Sequence, residues 1–96
     1  MGDGFVVLVE TFIKDSERHL EKLHVAIADN NCDSLRAHAH SFKGSSSSLG
    51  ASRCAELCRQ LETMARNNQA DDARQVLEEL QSAYCAARAE LENIQA

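Results

Sequence analysis

Apolar residues recur at intervals of three and four along most of the chain, which is the spacing of one face of an α-helix. Near the C-terminus one such stripe consists of Leu77, Leu80, Tyr84, Ala87, Leu91 and Ile94. It predicts a long helix that begins near Ala70 or Asp71, with Asp72 adding favourable charge to the first turn. A second stripe, closed by turn-prone residues 67–69, consists of Cys54, Leu57, Cys58, Leu61, Met64 and Ala65.

The first third of the chain carries another helical stripe, which ends at the turn-prone residues 29–31. Its members are Ile13, Ser16, Leu20, Leu23 and Ile27. Asp15 and Ser16 are the residue types that cap a helix start, so either one is expected to begin this helix. Residues 5–12 are predicted as a separate short helix that leads into it.

The stretch "HSFKGSSSSLGA", residues 40–51, has the composition of a flexible linker. The apolar residues around it nevertheless keep a helical register. Leu35, Phe42 and Leu49 are spaced by sevens, and small residues fill the positions between them. A linker has no reason to keep that register, so a helix is predicted over 33–50. Asp33 or Ser34 is the expected N-cap and Gly50 the expected C-cap.

Together these elements predict an all-α fold, an antiparallel four-helix bundle with a short N-terminal helical element. The chain has 96 residues, of which 44% are hydrophobic, and it lacks proline. That length suits one domain, residues 1–96, built around one core.

Charge and hydropathy narrow the range of functions. The formal charge of −5 argues against a general nucleic-acid-binding role. Apolar runs stay well short of the roughly 20 residues that span a bilayer. The expectation is a monomer without direct membrane contact, located in the cytoplasm, with a membrane-tethered parent protein left open.

The four cysteines are expected to be reduced core residues. Cys54 and Cys58 lie four residues apart, whereas Cys32 and Cys85 are isolated. Closed zinc sites usually show tighter paired spacings, so no metal and no bound cofactor are expected. A site that combines a cysteine with both histidines of the segment 33–50 is disfavoured, because those histidines point in opposite directions.

A helical wheel gives these two histidines different surroundings. With Phe42 at the centre of the buried stripe, His38 lies about 40° away and His40 about 160° away. His38 is therefore interpreted as structural and His40 as exposed. The exposed neighbours of His40 are Arg36, Lys43, Gly44 and Ser47, and positions 35–50 hold no acidic residue. This positive patch favours an anion such as a phosphoryl group, although wheel geometry alone favours the simpler interpretation of an exposed histidine beside two solvated cations.

Residues 39–51, "AHSFKGSSSSLGA", resemble the signature of histidine phosphotransfer (HPt) domains. That signature has a histidine, two intervening residues, Lys-Gly, small residues, and Gly-Ala near the helix end. Residues 57–66, "LCRQLETMAR", resemble the next helix of the family. The resemblance implies a four-helix bundle that acts in the multistep phosphorelays of two-component systems.

The resemblance also implies site residues. His40 is the expected phosphoacceptor, exchanging a phosphoryl group with an aspartate of a response-regulator receiver domain. Lys43 is expected to offset the phosphoryl charge and Gly44 to leave room for the partner. Arg36 and Ser47 are expected to assist. Some members place a polar side chain from the next helix against the other ring nitrogen; Glu62 holds that position here. A surface glutamate is an equally good interpretation of Glu62.

The expected activity is that of a phosphocarrier without kinase activity of its own. The stretch "GSSSSLGAS" lacks the lysine that a P-loop carries after its second glycine. The divalent ion for transfer, Mg²⁺, is expected on the receiver. A free-standing shuttle and a domain of a hybrid sensor kinase both remain open. The alternative function is a helical docking module without phosphate chemistry, which would use apolar residues within 5–8.

Overall fold

A computed structural model describes residues 2–95 as four α-helices and one 3₁₀ turn. The helices are α1 (Gly2–Ala28), α2 (Cys32–Ser48), α3 (Ser52–Arg66) and α4 (Ala73–Gln95), and the turn is Ala70–Asp72. Each helix packs on the next, and α4 packs back on α1, which closes the bundle. The molecule measures 44 × 18 × 17 Å. The predicted all-α antiparallel bundle is therefore confirmed. Over the described residues, none of the helices is both long and apolar enough to cross a membrane.

Aromatic rings meet at the centre of the bundle. The ring of Phe42 lies 6.4 Å from those of Phe12 and Tyr84, and the imidazole of His19 stacks on it at 5.5 Å. Around these rings the fully buried leucines complete the core: Leu23, Leu35, Leu57, Leu61 and Leu80. Burying one such side chain stabilises a fold by about 1.5–3 kcal/mol. Phe42 thus anchors α2 in the core and fixes the rotation of that helix.

Three helices end in the same hydrogen-bonded motif. Asn30, Gly50 and Asn68 have left-handed φ angles of 53°, 76° and 55°. In each case the next N–H donates back to a carbonyl of the last helical turn, all at 2.8 Å: Asn31 to Ala26, Ala51 to Ser46 and Gln69 to Met64. This Schellman arrangement satisfies carbonyls that the helix leaves unpaired. It turns the chain back sharply, so the connections between helices stay short.

The predicted break in the first helix is wrong. Residues 5–12 are continuous with the following residues in α1, and Asp15 and Ser16 lie in its interior instead of capping it. Val9 and Phe12 are buried and extend the stripe that Ser16 and Leu23 continue. The apolar period passes through the expected boundary without a proline or glycine to stop it, so packing keeps the helix intact.

Boundaries of α2 and α4 also differ from the prediction. The last helix begins at Ala73, after the 3₁₀ turn Ala70–Asp72, instead of near Ala70 or Asp71. The N-cap of α2 is Asn31, whose side-chain oxygen accepts a hydrogen bond from the Ser34 N–H at 3.1 Å, instead of Asp33 or Ser34. Gly50 does stop that helix, one residue beyond its C-cap at Leu49. At the other end of the chain, Ile94 continues the stripe of α4 in sequence but is 68% exposed. The buried part of that stripe ends at Leu91.

The serine-rich segment is helical, and its hydroxyls are used in different ways. Ser45 and Ser48 donate to the carbonyls of Ser41 and Gly44, one turn earlier, at 3.3 and 3.1 Å. Ser46 faces the core, and its hydroxyl has no hydrogen-bond partner among the described residues. A buried hydroxyl without a partner costs stability.

Ser46→Ala is expected to stabilise the protein more than Ser47→Ala does. Both changes raise helix propensity by a few tenths of a kcal/mol, but only Ser46 loses a buried, unpaired hydroxyl. The expected difference in free energy of unfolding is about 1 kcal/mol, measured by urea denaturation. Equal effects of the two substitutions would contradict this account of Ser46.

Candidate functional site

His40 stands on the outer face of α2, where its side chain is 70% exposed. His38, two residues earlier, is half-buried, and its ring lies 6.3 Å from that of His19 in α1. Two residues turn a helix by about 200°, so one of these histidines faces the bundle when the other faces solvent. The predicted locations of both rings are confirmed.

The side chain of Glu62 in α3 contacts the ring of His40. The Glu62 side chain is only 6% exposed, and its Oε2 lies 3.2 Å from His40 Nδ1. An ionised carboxylate only accepts hydrogen bonds, so the ring proton belongs on Nδ1. This leaves the lone pair on Nε2, at the solvent side of an exposed ring. Of the two interpretations of Glu62 drawn from the sequence, the structure supports the contact with His40.

Two cations lie next to the Glu62 carboxylate. Lys43 Nζ lies 2.7 Å from Oε1, and Arg66 Nη2 lies 3.9 Å from Oε2. Burial alone would raise the pKa of the Glu62 carboxyl, but hydrogen bonding and charge from Lys43 and His40 outweigh it and lower that pKa below its ordinary value. Because both of its oxygens contact other side chains, the buried Glu62 carboxylate has a fixed orientation. The His40 ring that it contacts is therefore oriented too.

The other predicted residues surround this core of the site. Arg36 and Arg66 line the same concavity of about 530 Å³ as His40, Lys43 and Glu62. Ser47 is exposed and lines a neighbouring concavity on the far side of Lys43. Gly44 is exposed in the middle of the helix, and a Cβ added there would meet nothing within 4 Å. The glycine is therefore not needed for packing within the described chain.

Arg66 belongs to the site but was not among the predicted residues. It follows Glu62 by four residues, so both lie on one face of α3. That spacing is the signal by which the sequence indicates an ion pair. Its link to His40 depends on the register between α2 and α3, which no local pattern reports.

The four cysteines are not part of the site, although the charges of Glu62 and Lys43 act on the Cys58 thiol. All four are free thiols, with Cys54 and Cys58 buried in α3 and Cys85 exposed. Burial raises the pKa of Cys58 to about 12 and also raises that of Cys54. These two thiols stay protonated, whereas a metal ligand must be a thiolate. Within residues 2–95, no group of three or more His, Cys, Asp and Glu side chains is placed to hold a metal ion.

Comparison with known proteins places this geometry in context. The sequence model of the Hpt domain family matches residues 7–96. The chain is also similar to a solved structure, the crystal structure of histidine-containing phosphotransfer protein B (HptB) from Pseudomonas aeruginosa PAO1. The two superimpose with a TM-score of 0.94 at 36% sequence identity, over 99% of this chain and 83% of that one. No curated protein matches the sequence.

Lys43→Met is expected to lower the free energy of unfolding by about 1–3 kcal/mol at pH 7, because it leaves a buried carboxylate without its ammonium partner. The pKa of Glu62 is lowered in the folded protein, so the pairing stabilises the fold above the ordinary value of 4.5 and is lost as pH falls below it. Urea denaturation at pH 7 and pH 4 measures both effects.

The loss caused by Lys43→Met should shrink at pH 4, where the unpaired carboxyl of the variant can take up a proton, and in a Glu62→Gln background, which has no carboxylate. A loss of the same size under all three conditions would show that Lys43 acts through packing of its stem and not through this ion pair.

Proposed function

Because this chain belongs to the Hpt-domain family, we propose that it relays phosphoryl groups on His40. Hpt domains are phosphocarriers that interact with response-regulator receiver domains in phosphorelays. The observation that carries the assignment to His40 is its geometry: an imidazole 70% exposed on α2, with Nδ1 engaged by a buried carboxylate. Nε2 is then both accessible and unprotonated, as a nucleophile must be.

The transfer is a displacement at phosphorus. Nε2 of His40 donates its lone pair to the phosphorus atom of an aspartyl phosphate on the receiver. As the N–P bond forms, the P–O bond to the aspartate breaks, and the carboxylate leaves with the electron pair. Glu62 accepts the Nδ1–H hydrogen bond throughout and offsets the positive charge that develops on the ring. The reverse sequence returns the phosphoryl group to a receiver.

Cations next to the ring attract the negatively charged phosphoryl group. Transfer concentrates negative charge on the phosphoryl oxygens, so positioning and charge supply most of the catalysis. Lys43 lies one turn from His40 on the same face, and Arg36 and Arg66 line the same concavity. Lys43 is the principal partner for this charge in the proposal, with the two arginines in support.

Gly44 is proposed to let the receiver approach the ring. A glycine within a helix costs about 1 kcal/mol relative to alanine, and among the described residues a Cβ added at Gly44 would meet nothing within 4 Å. The conformational cost therefore serves no contact within the described protein, which supports a role in contact with a partner. Ser47, small and exposed on the same face, is assigned the same supporting role.

The chain is proposed to act without kinase activity and without a resident cofactor, as a monomer on the cytoplasmic side. The Mg²⁺ that transfer requires is supplied with the receiver. A sensor kinase, in the same parent chain or separate, starts the relay. Each step at His40 then needs only the receiver and the side chains already described.

Incubation with a phosphorylated receiver domain is expected to label the native protein and not His40→Gln. The label should be acid-labile and base-stable, as a phosphohistidine is. His38→Gln is the matched control, because it removes the neighbouring imidazole and leaves the exposed one, and it should retain the label. Label on His40→Gln would contradict the assignment. A native chain left unlabelled by receivers that phosphorylate another carrier would favour the docking-module alternative.

Gly44→Ala is expected to separate stability from function. The new methyl group has space and improves helix propensity, so the free energy of unfolding should rise by about 1 kcal/mol. Phosphoryl transfer should slow by about tenfold or more, since small displacements of reacting groups are costly. Thermal denaturation and transfer kinetics measure the two effects. Full transfer activity in a stabilised variant would remove Gly44 from the partner contact.

A further inference from the structure

Two histidines on neighbouring helices face each other across the seam between α1 and α2. The ring centroids of His19 in α1 and His38 in α2 lie 6.3 Å apart, and both residues are half-buried. We propose that this pair makes the seam acid-sensitive: once both rings are protonated, their like charges repel each other and loosen the packing of α1 on α2. The inference concerns the stability of the fold and does not depend on the proposed function.

His19 connects this seam to the centre of the core. Its ring stacks on the ring of Phe42 with a centroid distance of 5.5 Å and an interplanar angle of 18°. Phe42 is fully buried. A neutral imidazole can pack on a phenyl ring there and lose little hydration, whereas a protonated imidazole gives up part of the hydration of its charge. The position therefore suits the neutral form of His19.

Charged groups from both helices act on the His19 ring. Asp15, one turn earlier in α1, attracts a proton to the ring, whereas Arg18 in α1 and His38 in α2 repel one. Burial has the largest effect, and together with His38 it outweighs Asp15, so the pKa of His19 lies below its ordinary value of 6.5. The seam thus disfavours a charge on His19 despite the neighbouring carboxylate.

The other cations of α2 do not face this pair. Arg36 and Lys43 line the concavity beside His40, and the helical wheel places both nearly opposite His38. The repulsion that His19 meets from α2 therefore comes from His38, and it appears only when His38 is itself protonated.

The direction of the pH dependence follows from these contacts. A histidine in the unfolded chain takes up a proton near its ordinary pKa of 6.5, whereas folded His19 does so at a lower pH. Between these two values the unfolded chain binds more protons than the folded one, so the free energy of unfolding falls as pH falls below about 6.5. Well above that pH the ring is neutral in both states and adds no pH dependence.

The expected structural change is local. Phe42 keeps its contacts with Phe12 and Tyr84, whose ring centroids both lie 6.4 Å from its own. Withdrawal of a charged His19 removes the contact that Phe42 makes with this part of α1. The result is a weaker attachment of α2 to α1 in a bundle that otherwise stays folded.

His19→Phe removes the titrating group and keeps an aromatic ring on Phe42. Urea denaturation at pH 7.5 and pH 5.5 gives the unfolding constant of each protein. On acidification, this constant should rise about threefold or more further in the native protein than in His19→Phe. His24→Gln is the matched control, because it removes an exposed histidine from the same helix, and it should behave like the native protein. Equal rises in all three proteins would overturn the inference.

Hydrogen exchange locates the loosening. Between pH 7.5 and pH 5.5, after correction for the intrinsic exchange rates, amides around His19 and Phe42 should lose protection relative to those of α3 and α4. His19→Phe should not show this difference. A uniform loss over all four helices of the native protein would contradict a weakness confined to the seam between α1 and α2.

NMR titration of the imidazole C–H signals measures the pair without unfolding the protein, and it does not depend on how well His19→Phe folds. The pKa of His19 should lie below 6.5 in the native protein and should rise in His38→Gln, which removes the facing charge. An equal pKa of His19 in these two proteins would show that the rings do not repel each other. A pKa above 6.5 would show that attraction of a cationic ring to Phe42 exceeds the cost of burial. Either result would overturn the inference.

Discussion

The contacts that Glu62 makes across the seam between α2 and α3 are those on which the arrangement of the site depends. A carboxylate withdrawn from water costs several kcal/mol unless cations and hydrogen-bond donors compensate it. Here Lys43 and the His40 ring supply that compensation, and in doing so they lose their own freedom. The contacts that compensate the buried charge therefore also orient the exposed imidazole of His40. The contacts between α2 and α3 thus restrict the motion of the His40 side chain at the surface.

Phe42 supports the same arrangement from the opposite side of α2. Its ring packs against Phe12, His19 and Tyr84, and it fixes which face of the helix looks outward. His40 lies nearly opposite Phe42 on the wheel, so the packing of Phe42 in the core also places His40 at the surface. The small residues that follow His40 in α2 are compatible with both the buried and the exposed face of the helix. Ser45 and Ser48 satisfy their hydroxyls within the helix, and Gly44 adds nothing above the surface.

Features that depend on a single helix could be predicted from the sequence. The seven-residue spacing of Leu35, Phe42 and Leu49 was enough to identify α2 despite its linker-like composition. The helical wheel placed His40 on the exposed face of that helix. Features that depend on two helices could not. The contact between Glu62 and His40 joins residues 22 apart in sequence, and it exists only because α2 and α3 pack in one register. Arg66 was missed for the same reason. The unbroken α1 was missed because capping residues occur in its interior, where burial overrides their preference.

The placement of the exposed imidazole of His40 on one face of the elongated bundle has a consequence for the order of events in the proposed relay. A receiver that covers Nε2 of His40 occupies the ground that any second receiver would need. Under the proposed function, donor and acceptor therefore cannot meet on this surface together, and a carrier of this kind follows a ping-pong scheme in which it is released between partners. The time for which each receiver stays bound then limits the throughput of the relay, so tight binding to either partner would be a disadvantage.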